Sequence, residues 1–176
     1  MKRAVRLMLI GLAGAVVVVP SASAQRPYIF AGGGINMPMG DFKDGAKAGW
    51  IAQAGFGVDV GTKGLWAEAE GWYGQNKFKV GTGNVKLWAA MLGVGYSFTP
   101  DKKVSPYVVA SAGVLAGKGE GSTSYDKNFG YSGGAGIVYN ATESAHLWLE
   151  ARYLANKDVK MIPISAGVSF SLGKKK

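Results

Sequence analysis

Leu65-Trp66-Ala67-Glu68-Ala69-Glu70-Gly71-Trp72-Tyr73-Gly74 decides the fold. Leu65, Ala67, Ala69, Gly71 and Tyr73 fall on one side of a period of two, and Trp66, Glu68, Glu70 and Trp72 on the other. A period of two belongs to a strand with two different faces. His146 to Ala155 repeats the pattern, with Leu147, Leu149, Ala151 and Tyr153 against Trp148, Glu150 and Arg152. The sharpest alternation is the last, where Ile162, Ile164, Ala166, Val168, Phe170 and Leu172 oppose Met161, Pro163, Ser165, Gly167, Ser169 and Ser171. Leu87 to Phe98 sets Trp88, Ala90, Leu92, Val94, Tyr96 and Phe98 against Ala89, Met91, Gly93, Gly95 and Ser97. Trp50 to Val60 sets Trp50, Ala52, Ala54, Phe56 and Val58 against Gln53, Gly55, Gly57 and Asp59. Tyr28 to Asn36, Pro106 to Ala116 and Phe129 to Asn140 complete the set, with Gly and Ala on both faces.

About eight strands therefore fill the chain, a count that suits a barrel closed on itself. Tight turns are expected at Gly61 to Gly64, Thr99 to Ser105 and Asn140 to Ala145. Longer or more polar connections are expected at Met37 to Ala48, Gln75 to Gly83 and Gly117 to Asn128, with a short one at Asn156 to Lys160.

Charge placement decides which face meets what. A soluble barrel turns its apolar face inward, and a membrane barrel inverts the order. Glu68, Glu70, Glu150 and Arg152 lie mid-strand on the face that also carries Gly, Ser and Gln. Few charges and much glycine suit a narrow interior filled by a few large polar side chains. Gln53, Asp59, Glu68, Glu70, Glu150 and Arg152 are the expected polar cluster of the lumen. Arg152 is its only cation, facing Glu68 and Glu70 across the barrel, so that its removal is expected to admit cations. Tyr28, Trp50, Tyr73, Trp88, Phe98, Tyr107, Tyr139, Tyr153 and Phe170 lie near strand ends, as in two interfacial girdles.

Composition narrows the class. The 28 glycines among 176 residues are about twice the usual share. They follow no Gly-X-Y period. No cysteine is present, which excludes a disulfide scaffold. Lys2, Arg3 and Arg6, the apolar run Leu7 to Val19, Pro20 and Ala22-Ser23-Ala24 have the layout of a secretory signal peptide over residues 1–24. A barrel domain over 25–176 is expected to follow it. Losing those three cations takes the formal charge from +9 to +6. The remaining basic charge sits in turns and in Lys174-Lys175-Lys176, with no basic helix, so nucleic acid is not an expected partner.

Chemistry is sparse. His146 is the single histidine, and Glu143-Ser144-Ala145-His146 does not make a hydrolase triad merely by adjacency. Gly117 to Thr123 lacks the spacing of a phosphate loop. No catalytic residue, metal site or cofactor is expected.

The chain resembles the small outer-membrane β-barrels of OmpA/OmpX type, a porin-like family. The resemblance is carried by Tyr28-Ile29-Phe30-Ala31-Gly32-Gly33-Gly34, Met37-Pro38-Met39-Gly40-Asp41-Phe42, Pro106-Tyr107-Val108 and Leu149-Glu150-Ala151-Arg152-Tyr153. It departs from the family's aromatic C-terminus, since Gly173 and three lysines follow Leu172. The resemblance implies an all-β, eight-stranded, antiparallel up-and-down transmembrane barrel, exported by the general secretory pathway to the outer membrane. Its implied partners are outer-membrane lipid, lipopolysaccharide and the assembly machinery, with the barrel a monomer. The functional expectation is a structural or surface-interaction barrel with a plugged polar lumen. A small porin-like diffusion channel and a soluble periplasmic lipocalin-like barrel remain alternatives.

A closed barrel leaves detergent no unpaired strand edge. The mature protein should fractionate with the outer membrane and migrate differently on gels with and without boiling. Recovery in the soluble periplasm without a heat-dependent shift would favour the lipocalin-like reading.

Overall fold

A computed structural model describes residues 26–60, 62–120 and 126–172. The expected leader, residues 1–24, and the lysine tail lie outside them. Eight strands run through the described residues: β1 Pro27–Met39, β2 Ala46–Asp59, β3 Leu65–Phe78, β4 Asn84–Ser97, β5 Val104–Gly119, β6 Asp126–Asn140, β7 Ala145–Ala155 and β8 Lys160–Ser171. A single helical turn, α1 Gly40–Gly45, joins β1 to β2. Each strand pairs antiparallel with its chain neighbours, and β1 closes on β8 through a register running from Tyr28↔Ser171 to Met39↔Lys160.

Closure and facing have one cause. Hydrocarbon offers no hydrogen-bond partner, so a strand can cross it only with both edges paired. Ile29, Phe56, Leu92, Val94, Ile137, Leu149, Val168 and Phe170 are all exposed on the outer wall, while Glu68, Glu70, Glu150 and Arg152 are buried inside. That inversion is the opposite of a lipocalin's, so the soluble alternative falls.

An even number of strands puts both ends of the barrel chain beside the turns at 60–64, 98–103 and 141–144. Outer-membrane barrels with an even number of strands keep this end, with its short turns, on the periplasmic side. The opposite end carries α1, the turns at 79–83 and 156–159, and the connection from β5 to β6. The segments expected there as long loops are largely strand. Residues 117–119 continue β5 and 126–128 continue β6, held by pairs such as Gly117↔Asp126. Polar composition resembled loop, but a ladder that overshoots the membrane needs polar side chains too.

Exposed Trp50, Tyr73 and Tyr153, with half-buried Trp88, form the extracellular belt; Tyr96, Phe98, Tyr139 and Phe170 form the periplasmic one. Tyr73 and Trp88 are cross-strand partners at the upper edge, as Leu65 and Tyr96 are at the lower. Leu92 stands midway between Trp88 and Tyr96 on the outer wall of β4. Leu92→Arg should cost roughly 2–4 kcal/mol by denaturant unfolding in lipid vesicles. Lys43→Glu, in the exposed turn α1, should leave stability unchanged within error. Equal tolerance at the two positions would refute the assigned facing.

Candidate functional site

β3 and β7 stand four strands apart in a closed ring of eight, which makes them diametrically opposed. Glu68 and Glu70 alternate inward on β3, Glu150 and Arg152 on β7. The lumen is narrow enough for Arg152 to cross it. Its Nη1 donates to Glu70 Oε1 at 2.8 Å, its Nη2 to Glu68 Oε1 at 3.2 Å, and its Nε to Glu150 Oε1. The guanidinium also lies 5.3 Å from the Trp72 ring centroid.

One guanidinium cannot neutralise three carboxylates, and neutral donors stabilise the remainder. Tyr28 donates its hydroxyl to Glu68 Oε2 at 3.2 Å, and Trp66 Nε1 donates to the same oxygen at 3.1 Å. Tyr107 donates to Glu150 Oε2 at 2.9 Å, and Ser111 to Glu70 Oε1 at 2.8 Å. Ser111 and Ser132 Oγ atoms lie 2.7 Å apart and tie β5 to β6. Charge-assisted bonds of this kind are the strong ones, and a buried charge without them is costly.

Two residues expected at the membrane interface thus belong to the lumen. Tyr28 and Tyr107 face inward, because β1 and β5 place the even and odd positions respectively on the inner wall at those points. Asp59 is the converse correction. It keeps inward parity but stands at the end of β2, exposed at the periplasmic mouth of the cavity that Glu68 and Glu150 also line, outside the Arg152 ion set. Gln53 is buried in the wall without a bond to the cluster among those described.

Glycine makes the room. Tyr28 stands directly opposite Gly57, Phe30 opposite Gly55, Trp66 opposite Gly95, Tyr107 opposite Gly136, Trp148 opposite Gly167 and Arg152 opposite Gly134. A β-carbon at Gly134 would lie 2.6 Å from Arg152 Cγ, and one at Gly55 2.6 Å from Phe30 Cζ. In a cylinder this narrow, each of these six large inward side chains takes the space that its glycine partner leaves.

The lumen is layered. On the extracellular side Ile51, Trp72, Leu87, Met91, Leu115, Leu154 and Met161 form an apolar cluster, with Val159 added from the β7–β8 turn and Phe42 from α1. Asn156 tucks that turn inward: its Oδ1 accepts from the backbone N–H of Asp158 at 2.9 Å and of Val159 at 2.7 Å, and its Nδ2 donates to Leu115 O at 3.2 Å. On the periplasmic side lies a cavity of about 750 Å³, walled by Tyr28, Phe30, Trp66, Tyr107 and Trp148 and reaching the turns at that end. The ion cluster forms the boundary between them.

His146 sits in this cavity wall and meets Ser171 Oγ at 3.1 Å, not Ser144. Thr142 Oγ1 instead accepts from the backbone N–H of Ser144 and of Ala145, which caps the turn. No cluster of three metal-ligating side chains occurs among the described residues.

Removing one member of a buried ion set strands the others, typically at 3–5 kcal/mol. Arg152→Ala should therefore lower stability in lipid by about 3 kcal/mol, the low end, because water from the cavity reaches the stranded carboxylates. Denaturant unfolding of the variant beside its parent measures this, and equal stabilities would mean the guanidinium is not buried among three carboxylates.

Similar proteins share this architecture. Neisserial surface protein A superposes with a TM-score of 0.69 at 20% identity, over 86% of this chain and 99% of its own. Ail of Yersinia pestis, in complex with the heparin analogue sucrose octasulfate, gives 0.57 at 16%, over 84% and 97%. The N-terminal β-barrel domain of Pseudomonas aeruginosa OprF gives 0.53 at 19%, over 83% and 97%. At such identities the likeness is one of fold. No curated protein sequence matches the chain. The model of the outer membrane protein beta-barrel domain matches residues 9–171. With closure, lipid-facing apolar wall and charged interior already in place, that match completes the assignment: the chain belongs to the outer membrane protein β-barrel family and resides in the outer membrane.

Proposed function

We propose that the protein is a non-enzymatic, monomeric outer-membrane barrel with a sealed lumen, a rigid anchor that presents its extracellular turns at the cell surface. A leader over residues 1–24 would direct it to the general secretory pathway, and the outer-membrane assembly machinery would insert it among lipid and lipopolysaccharide. The observation that carries this reading is the apolar layer above the ions. Leu87, Leu115, Leu154 and Met161 are each at most 2% exposed, although all four point into the lumen. Ions do not cross a packed apolar layer, since an unpaired charge there has neither water nor partner.

This layer revises what the sequence suggested for Arg152. With two barriers in series, deleting the guanidinium opens only the periplasmic half. Bilayer recordings should show no discrete openings for the parent or for Arg152→Ala. Openings should emerge only when Leu115→Ala and Leu154→Ala are added to Arg152→Ala, in protein that keeps its heat-dependent gel shift. Steady single-channel steps in the parent protein would establish the diffusion-channel reading instead.

A further inference from the structure

The rings around the periplasmic cavity come from every odd-numbered strand: Tyr28 and Phe30 from β1, Trp66 from β3, Tyr107 from β5 and Trp148 from β7. Aromatic side chains therefore stand on all sides of a space of about 750 Å³, a size usual for small-molecule sites. Its inner end is the ion cluster, where three carboxylates meet one guanidinium. Two of those carboxylates, Glu68 and Glu150, line the cavity itself. At the mouth the signs are mixed. Lys63 pairs with Asp101, and Arg26, Lys102 and Lys103 share the rim with Asp59 and Glu143. Acid groups dominate only at the inner end.

A second observation is independent of charge. Trp148, Gly167, Gly32 and Gln53 are successive cross-strand partners on β7, β8, β1 and β2. With no side chain on either glycine, the indole lies across both: Trp148 Cζ2 is 2.4 Å from the place of a β-carbon on Gly32 and 2.4 Å from one on Gly167. The indole thus reaches from β7 toward Gln53. Yet Trp148 Nε1 and Gln53 Oε1 each lack a hydrogen-bond partner. The two residues are 8% and 4% exposed, and both line the cavity. A buried donor and a buried acceptor left unpaired are costly. A hydroxyl both donates and accepts, so a single one can serve the two.

We propose that this cavity binds a small organic cation of the hydroxyalkylammonium class. The ammonium sits among the rings, whose faces attract cations, and toward Glu68 and Glu150. The hydroxyl donates to Gln53 Oε1 and accepts from Trp148 Nε1. The ligand enters as a free solute from the periplasm, because every strand is paired on both edges and the wall gives a lipid headgroup no lateral way in. The apolar layer beyond the ions makes the site a blind one.

Three probes separate the charge from the hydroxyl: choline, ethyltrimethylammonium, which lacks the hydroxyl, and the uncharged isostere of choline in which a tert-butyl group replaces the trimethylammonium. Each is titrated into the isotope-labelled, folded mature barrel in a non-ionic maltoside detergent, and the indole N–H resonances of the five tryptophans are followed. Choline should shift the Trp148 resonance saturably, that resonance being assigned by its absence in Trp148→Phe, and leave those of Trp50 and Trp88 on the outer wall in place. Ethyltrimethylammonium should bind about threefold more weakly, and the uncharged isostere about tenfold. Gln53→Met should bring choline down to the level of ethyltrimethylammonium and leave ethyltrimethylammonium unchanged. A heat-dependent gel shift confirms that the variant is folded, and the three probes on the parent protein test the proposal without it. No saturable shift at Trp148 would overturn the proposal. So would equal binding of the uncharged isostere, which would mark a merely apolar cavity, or equal binding of choline and ethyltrimethylammonium, which would leave Gln53 and Trp148 without a role. Choline binding unchanged in folded Gln53→Met, or a shift at Trp88 matching that at Trp148, which would mark uptake at the detergent belt, would overturn it too.

Discussion

The β1–β8 seam, in which the first strand pairs along its length with the last, is the constraint on which everything else rests. A bilayer interior cannot satisfy a strand edge, so the ring must close, and eight strands close around a narrow cylinder. That width is what lets a guanidinium on β7 reach carboxylates on β3. It is also what leaves little room for large side chains at the same level on adjacent strands. The pairing of Tyr28, Phe30, Trp66, Tyr107 and Trp148 each with a glycine follows from the diameter. So does the heavy use of glycine in a chain that is neither collagen-like nor disordered.

Within that cylinder the three layers depend on one another. The ion cluster is buried because the apolar cluster caps it from outside and aromatic rings wall it below. Tyr28, Trp66, Tyr107 and Ser111 add neutral donors to the one guanidinium around its carboxylates. Buried ion sets are weak contributors to stability as replacements for apolar packing, yet costly to break. Here they also tie opposite walls of the barrel together, which no backbone ladder does.

Much of this was legible in the sequence wherever the two faces differ. β3, β4, β7 and β8 alternate cleanly, and the facing of Glu68, Glu70, Glu150 and Arg152 follows from parity alone. β1 and β5 carry small residues on both faces, so Tyr28 and Tyr107 read as belt aromatics. The signal that would have placed them is the glycine opposite each, but that requires the register, and register is a property of two strands. Parity also says nothing of depth. Asp59 has the right face and the wrong height, and Met91 and Met161 sit on an inner face that looked merely small and polar. The apolar cap needs Val159 and Phe42, whose inward tuck depends on hydrogen bonds such as those of Asn156.

The reach of Arg152 across the lumen also sets an order of assembly. Its bonds to Glu70 and Glu68 join residues 82 and 84 positions apart, whereas its bond to Glu150 spans two. A β3–β4 hairpin entering early therefore brings its carboxylates without their cation. The segment that supplies it arrives only when most of the ring exists, and long-range contacts are the late and slow ones. Until then those carboxylates must keep water around them, which penalises any partly closed sheet in hydrocarbon. The cluster thus acts as a latch on the final step: completing the ring and bringing the cation to its interior carboxylates become a single event, and intermediates that stop short of closure are disfavoured twice.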